Sequence, residues 1–227
     1  RGITYMHYIL TGCSSGLGYE IAKQLLNANL DVIGLSRSVG KASSLLGSEH
    51  FEHISCDLRY HDSFGEIDHL MDGRDICIIV NAAQFRYEGD KSLNLADSKE
   101  IFDLNFFSAV SLVEKFKCHG LKRVLFINSV AGKIAQEGQS QYSASKHALQ
   151  AYSETLAKYS VGKGFDVMSI NPGGIDTELW SGEKVLAKAV TDTFIQPRVL
   201  SSLVFNFLSL PYKTYIKSAI ILPEHDI

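Results

Sequence analysis

The run from Thr11 to Gly18, Thr-Gly-Cys-Ser-Ser-Gly-Leu-Gly, constrains this chain more than any other stretch. It follows a short apolar run, Tyr8-Ile9-Leu10, and precedes a helical repeat of Ile21, Leu25 and Leu26. A strand, a glycine-rich turn and a helix start are the parts of a backbone cradle for a dinucleotide pyrophosphate. Glycine permits the tight turn and lets a ligand come close to the backbone. The helix start offers unpaired N–H groups and the positive end of its dipole to phosphate. Thr11, Gly12, Ser14, Ser15, Gly16, Leu17 and Gly18 are therefore candidate cofactor contacts. The glycine spacing differs from the commoner G-x-G-x-x-G form, so the run needs support from the rest of the chain.

Short apolar strands alternating with amphipathic helices supply that support, because this alternation marks a parallel sheet covered on both faces. Strands are predicted at 6–11, 31–36, 51–56, 76–81, 121–128, 165–171 and 216–222. Two of them, Ile76-Cys77-Ile78-Ile79-Val80 and Val124-Leu125-Phe126-Ile127, are continuous apolar runs, as strands buried on both sides require. Helices are predicted at 16–28, 41–47, 61–71, 96–118, 141–161 and 197–209. With no repeat or linker in 227 residues, the expected fold is α/β: one Rossmann-like, doubly wound domain over 1–227. Residues 172–196 break the regularity, opening with Pro172-Gly173-Gly174 after a strand, and are expected to form a substrate lid.

Composition narrows the function classes. The 22 basic and 25 acidic residues give a net charge of −3, and Lys133, Lys146, Lys158 and Lys163 are dispersed, so no nucleic-acid partner is expected. No apolar run approaches the ~20 residues of a spanning helix, so no membrane partner is expected either. The four cysteines are widely spaced with no ligand pairs, which argues for reduced thiols, no metal and a cytoplasmic setting. Residues 1–5 lack the apolar core of a signal peptide and read as an added remnant before an initiator at Met6.

The cofactor end reads as follows. The second strand closes in Leu35-Ser36-Arg37-Ser38. A carboxylate at that strand end would bind ribose hydroxyls and favour NAD, whereas arginine accommodates the 2′-phosphate of NADP. Ser36 followed by Arg37 points to NADP(H) over NAD. Asp57, with Leu58 after it, either accepts from the adenine amino group or caps the next helix. Asn81-Ala82-Ala83 ends the fourth strand, with two small residues leaving room for a flat ligand, or simply marks a turn.

The chemistry end is Ser129, Tyr142 and Lys146. Tyr142 and Lys146 stand i and i+4 on one predicted helix and share a face. A phenol with an ordinary pKa of about 10 is a poor base at neutral pH. A neighbouring ammonium lowers that value, so the pair suits proton transfer in a hydroxyl/carbonyl interconversion. Ser129, at the end of the fifth strand, can steady the reacting oxygen.

Taken together, these residues make the chain resemble the short-chain dehydrogenase/reductase family, compact single-domain branch, from about Met6 to Leu222. The matching segments are Thr11–Gly18, Asp57-Leu58, Asn81-Ala82-Ala83, Asn105, Ser129, Tyr142-Ser143-Ala144-Ser145-Lys146 and Asn171-Pro172-Gly173. The resemblance implies a seven-stranded sheet in the order 3-2-1-4-5-6-7 and hydride transfer between NAD(P) and a carbonyl/hydroxyl carbon. It implies Tyr142 as general acid/base, Lys146 on the nicotinamide ribose, Ser129 on the substrate oxygen and Asn105 supporting a water-linked proton path. Pro172, Gly173, the Ile175 backbone and Thr177 would contact the cofactor. Gln84 departs from the family, where glycine is usual after Asn-Ala-Ala, and Ser15 stands where many NADP members carry a basic residue.

The expected function is thus an NADP(H)-dependent oxidoreductase acting on a small to medium carbonyl or alcohol. The alternative is a non-catalytic NADP(H)-sensing regulator, which the intact Ser129, Tyr142 and Lys146 disfavour. Leu179, Trp180 and Phe194, with Phe85 and Tyr87, suggest an apolar or aromatic contact surface for that substrate. A homo-oligomer, homodimer or homotetramer, is expected on the 96–118 and 141–161 helices, which carry Phe106, Phe107, Phe116, Tyr152 and Tyr159. The end at Ile227, soon after the last strand, favours the dimer.

Overall fold

The computed structural model describes residues 6–71, 73–88, 94–180 and 193–224. Its strands are β1 (Met6–Thr11), β2 (Val32–Ser36), β3 (Phe51–Ser55), β4 (Asp75–Val80), β5 (Leu121–Ile127), β6 (Asp166–Pro172) and β7 (Ala219–Ile221). They form one sheet in the order β3-β2-β1-β4-β5-β6-β7, with every pairing parallel. The order reverses at β1, and the crevice beyond the strand ends there is where open α/β sheets bind ligands.

Side chains alternate across the sheet with a period of two. Ile76, Ile78 and Val80 of β4 face one core, while Cys77 and Ile79 face the other. Helices α3 (Ser108–Phe116) and α4 (Ser140–Ser160) close the first core, and α1 (Gly16–Asn27) with α5 (Pro197–Leu208) closes the second. α1 stops where Asn29 takes φ +54°, a left-handed turn that asparagine tolerates. α5 starts with Pro197 in its first turn, where the missing N–H costs nothing. Away from the crevice, Arg123 and Asp166 form a buried ion pair at 3.0 Å. Arg123 also donates to the Leu208 and Leu210 carbonyls, which ties the end of α5 to the sheet.

Three expectations need correction. The 41–47 and 61–71 segments are 3-10 turns, Gly40–Leu45 and His61–Met71, not α-helices. The 96–118 helix is α2 (Leu95–Phe102), a π-turn at Asp103–Phe107, then α3. The wide turn has a local cause: Asn105 is pulled into bonds with neighbouring elements, and the Ser108 hydroxyl donates to the Leu104 carbonyl at 2.6 Å. The aromatics of this region also face inward more than expected. Phe116 is fully buried, Phe106 and Tyr152 pack on the core, and only Phe107 and Tyr159 are exposed, at 43% and 49%. No helix among the described residues is long and apolar enough to cross a membrane.

Candidate active site

A cleft of about 970 Å³ opens over the ends of β1, β2, β4, β5 and β6. Of the catalytic and cofactor candidates from the sequence, all but Thr11 and Asn105 line it; of the expected substrate-contact residues, Leu179, Trp180 and Phe194 do and Phe85 and Tyr87 do not. Thr11 is buried and does structural work instead. Its hydroxyl accepts from the Asn81 and Ala82 N–H groups, both at 2.9 Å. The Asn81 amide in turn donates to the Thr11 carbonyl at 3.0 Å and the Gly12 carbonyl at 3.3 Å. These bonds lock the glycine turn against the end of β4. The lock explains Gly12: at φ +72°, a Cβ there would also stand 2.9 Å from the Ala82 Cα.

Beyond the turn, Ser15 makes no side-chain cap for α1, so its first N–H groups point into the cleft without that partner. The Glu178 carboxylate reaches this position from the opposite wall. An ion pair with Lys41 and a hydrogen bond from the Gly16 N–H hold its pKa below the ordinary carboxylate value. The donors at the start of α1 therefore suit a phosphate, and an acidic side chain already exploits them. Neither Lys41 nor Glu178 was singled out by the sequence. They are far apart in the chain, and nothing local pairs them.

At the other end of the cofactor half, Arg37 is exposed on the rim, and its carbonyl accepts from the Ser55 hydroxyl at 3.0 Å. The Ser36 hydroxyl points inward, donating to the Ser38 carbonyl at 2.8 Å and lying 2.9 Å from His53 Nε2. Asp57 is clasped by Arg59, with Nη2–Oδ2 at 2.7 Å and Nε–Oδ1 at 3.0 Å. Hydrogen bonding to Arg59 holds the Asp57 carboxyl below its usual range. Arg59 lines the cleft and was missed, although an arginine two residues after an aspartate in a turn is a readable signal.

Ser129, Tyr142 and Lys146 meet where β5 and α4 face each other. Tyr142 and Lys146 are 6% and 2% exposed. The ammonium lies 5.8 Å from the centre of the Tyr142 ring and donates to the Ile127 carbonyl at 3.4 Å. Burial pushes the phenol up to about 12, with a contact to the Ser129 hydroxyl acting the other way. Burial pushes Lys146 down to about 8. This corrects the expected lowering of the tyrosine pKa by lysine: in this structure burial is the larger influence on the phenol.

Behind them, Asn105 is buried one layer from the cleft. Its amide donates to the Gln84 carbonyl at 2.9 Å and to Ser145 Oγ at 3.0 Å, and its Oδ1 accepts from the Gln84 N–H at 2.7 Å. The Ser145 hydroxyl donates to the Tyr142 carbonyl at 2.7 Å, so Asn105 braces the helix turn that carries the tyrosine. Asn128, which the sequence reading passed over, donates to the Lys146 carbonyl and to Gln150 Oε1. Of the expected 172–196 lid, residues 181–192 lie outside the described residues. Its two described ends are joined by Ile195 N–H to Gly174 O at 2.9 Å and Asp176 N–H to Ile195 O at 3.0 Å.

Comparison with known proteins places this geometry among relatives. The profile of the family described as short chain dehydrogenase matches residues 6–185. The oxidoreductase YbbO of Escherichia coli (strain K12) is 32% identical over 177 residues, 74% of this chain and 65% of its own length. Retinol dehydrogenase 8 of Homo sapiens is 30% identical over 185 residues, 75% of this chain and 59% of its own length. The chain thus spans about two thirds or less of these two relatives. Among solved structures, a short chain dehydrogenase family protein from Francisella tularensis superposes with a TM-score of 0.83 at 21% identity, covering 96% of this chain and 97% of that one. The closed form of serine dehydrogenase complexed with NADP+ gives 0.84 at 20% identity, covering 95% and 94%. At these identities the superpositions establish the shared fold.

Proposed function

The chain belongs to the short-chain dehydrogenase family, and from that premise we propose that it is an NADP(H)-dependent oxidoreductase interconverting a carbonyl and an alcohol. The observation that carries this reading is the convergence of Ser129, Tyr142 and Lys146 in one cleft with the glycine turn. Hydride chemistry at the carbonyl or alcohol carbon would come from a nicotinamide cofactor held in the cleft. The chain's own residues do the rest. Tyr142 gives its proton to the carbonyl oxygen as the hydride arrives, or accepts the alcohol proton in the other direction. Ser129 hydrogen-bonds the same oxygen as negative charge develops on it. Lys146, the cation beside Tyr142, favours the phenolate left behind.

The cofactor would be held by the turn from Gly12 to Gly18 at its pyrophosphate, with Ile175 and Thr177 on the facing wall. The absence of a carboxylate at Ser36 and the cation at Arg37 favour NADP(H) over NAD(H). Arg59 supports the same choice by neutralising Asp57, the nearby acid of this rim. Structural neighbours were solved with NADP+ (serine dehydrogenase) and with NADH (4-hydroxyisoleucine dehydrogenase), so they do not choose between the two. The test is NADPH oxidation against a panel of carbonyl compounds, with Tyr142→Phe as control. The variant should lose turnover and keep its cofactor affinity; a Phe variant as fast as the parent removes Tyr142 from acid/base chemistry.

A further inference from the structure

The segment leaving β4 has an alternation that the reaction itself does not require. Gln84 is clasped through its backbone by Asn105. Arg86 pairs with Asp97 and, at 2.7 Å, with Glu100 on α2. Glu88 accepts from the Ser140 hydroxyl and the Gln141 N–H, both at 2.8 Å, and so caps the helix that carries Tyr142. The even-numbered residues are anchors on three different elements. The odd ones, Phe85 and Tyr87, pack with Tyr142, Ala131, Leu179 and Trp180.

This places a fixed aromatic ring directly beside the proton donor. Phe85 meets Tyr142 edge-on, with centroids 5.1 Å apart and planes at 83°. Trp180 covers Phe85 at 4.7 Å and continues to Phe194 at 5.5 Å. The Trp180 indole N–H is already used, donating to the Ile175 carbonyl at 2.8 Å. Its ring therefore offers only an apolar face. Ile134, 67% exposed, and Ala131 line the same end of the cleft. The charged side chain lining that end, Lys133, is paired with Glu154 at 3.1 Å. Arg86 and Glu88, on the segment that carries Phe85, are committed to the contacts above.

Resting on the oxidoreductase reading, we propose that the substrate is a neutral carbonyl compound or alcohol whose reacting carbon is attached to a planar apolar body, an aromatic ring or conjugated chain. Trp180, which lines the cleft, is the residue that selects it, with Phe85 packed behind it. Flat rings gain edge and face contacts with aromatic walls that a saturated ring of equal size does not. An ionised group carried on that body, away from Lys146, would lose water against an apolar wall.

Three aldehydes of similar size separate planarity from charge: benzaldehyde, cyclohexanecarbaldehyde and para-carboxybenzaldehyde. Each is assayed with the full chain and NADPH. Benzaldehyde should exceed the saturated ring about fivefold in kcat/KM, and the carboxylate about a hundredfold. Trp180→Leu keeps an apolar wall without a ring, and should bring the ratio of benzaldehyde to cyclohexanecarbaldehyde close to one, chiefly through KM. Equal use of the planar and saturated rings, or preference for the carboxylate, overturns the proposal while leaving the oxidoreductase reading intact. If no aldehyde is reduced, that reading fails, and the substrate class is decided by binding. Trp180 is the only tryptophan in the sequence, so its emission reports on this wall. Saturable quenching by benzamide but not by cyclohexanecarboxamide supports the aromatic subsite, and equal or absent quenching overturns it.

Discussion

Lys146 has a price in stability that can be measured without any substrate. Lys146 is 2% exposed, and its ammonium donates to the Ile127 carbonyl at 3.4 Å. Its pKa falls from the ordinary 10.5 to about 8 because burial disfavours the charge. That difference corresponds to about 3 kcal/mol of destabilisation at neutral pH. The sign follows from proton uptake. Below pH 8 both the folded and unfolded chains carry the charge, and the folded one bears the full desolvation cost. Between about pH 8 and 10.5 the unfolded chain binds the proton and the folded one does not, so stability rises with pH.

Lys146→Met keeps the length of the side chain and removes the charge. It gives up the bond to Ile127, a loss of about 1 kcal/mol. The variant should therefore be more stable than the parent by about 2 kcal/mol at pH 7, which raises the Tm of a chain this size by roughly 4–8 °C. The gain should shrink as pH climbs from 8 towards 10.5. Thermal and urea unfolding without cofactor, parent against variant from pH 7 to 10, gives the difference directly. A variant less stable than the parent at pH 7, or a difference that does not change with pH, refutes the reasoning.

Other outcomes follow from the cleft and the helix faces. Arg37→Ala should weaken NADP+ by about 1.5–3 kcal/mol, the value of a charge-assisted hydrogen bond, and leave NAD+ unchanged, as read by calorimetric titration; equal losses for both cofactors would rule out a 2′-phosphate contact. Glu178→Gln removes an anion from the start of α1, where cofactor phosphates would lie, and should tighten NADP+ binding by about 1 kcal/mol. Weaker binding would mean that the carboxylate organises the site. The chain should form a homodimer through α3 and α4, where Phe107 and Tyr159 stand exposed; light scattering at 25.1 kDa would exclude it.

The fold was legible because its signals are local and periodic. A strand buried on both faces must be apolar throughout, and Ile76 to Val80 announces one without reference to any other residue. The order of the sheet came from resemblance and not from these periods, since nothing in β3 says that it lies beside β2. The π-turn was illegible for a related reason. Asp103-Leu104-Asn105-Phe106-Phe107 has an ordinary helical composition, and the wide turn is driven by what Asn105 meets: the backbone of Gln84 and the hydroxyl of Ser145.

The site divides along the same line. Ser129, Tyr142 and Lys146 were readable as residue types suited to one reaction, but their protonation was not, because it depends on burial that no spacing encodes. Around the rim, charges are matched, most of them between distant parts of the chain: Lys41 with Glu178, Arg86 with Asp97 and Glu100, Lys133 with Glu154, and locally Arg59 with Asp57. At the centre, Tyr142 and Lys146 are desolvated together, and among the described residues neither has an opposite charge to offset its burial. A fold selected for stability alone would place methionine at 146. Keeping a lysine there makes sense when the group it serves is present only part of the time: a phenolate that forms as the proton leaves Tyr142. The uncompensated cation is then a preorganised partner for a transient anion, and the desolvation that weakens the folded chain strengthens that attraction during the reaction.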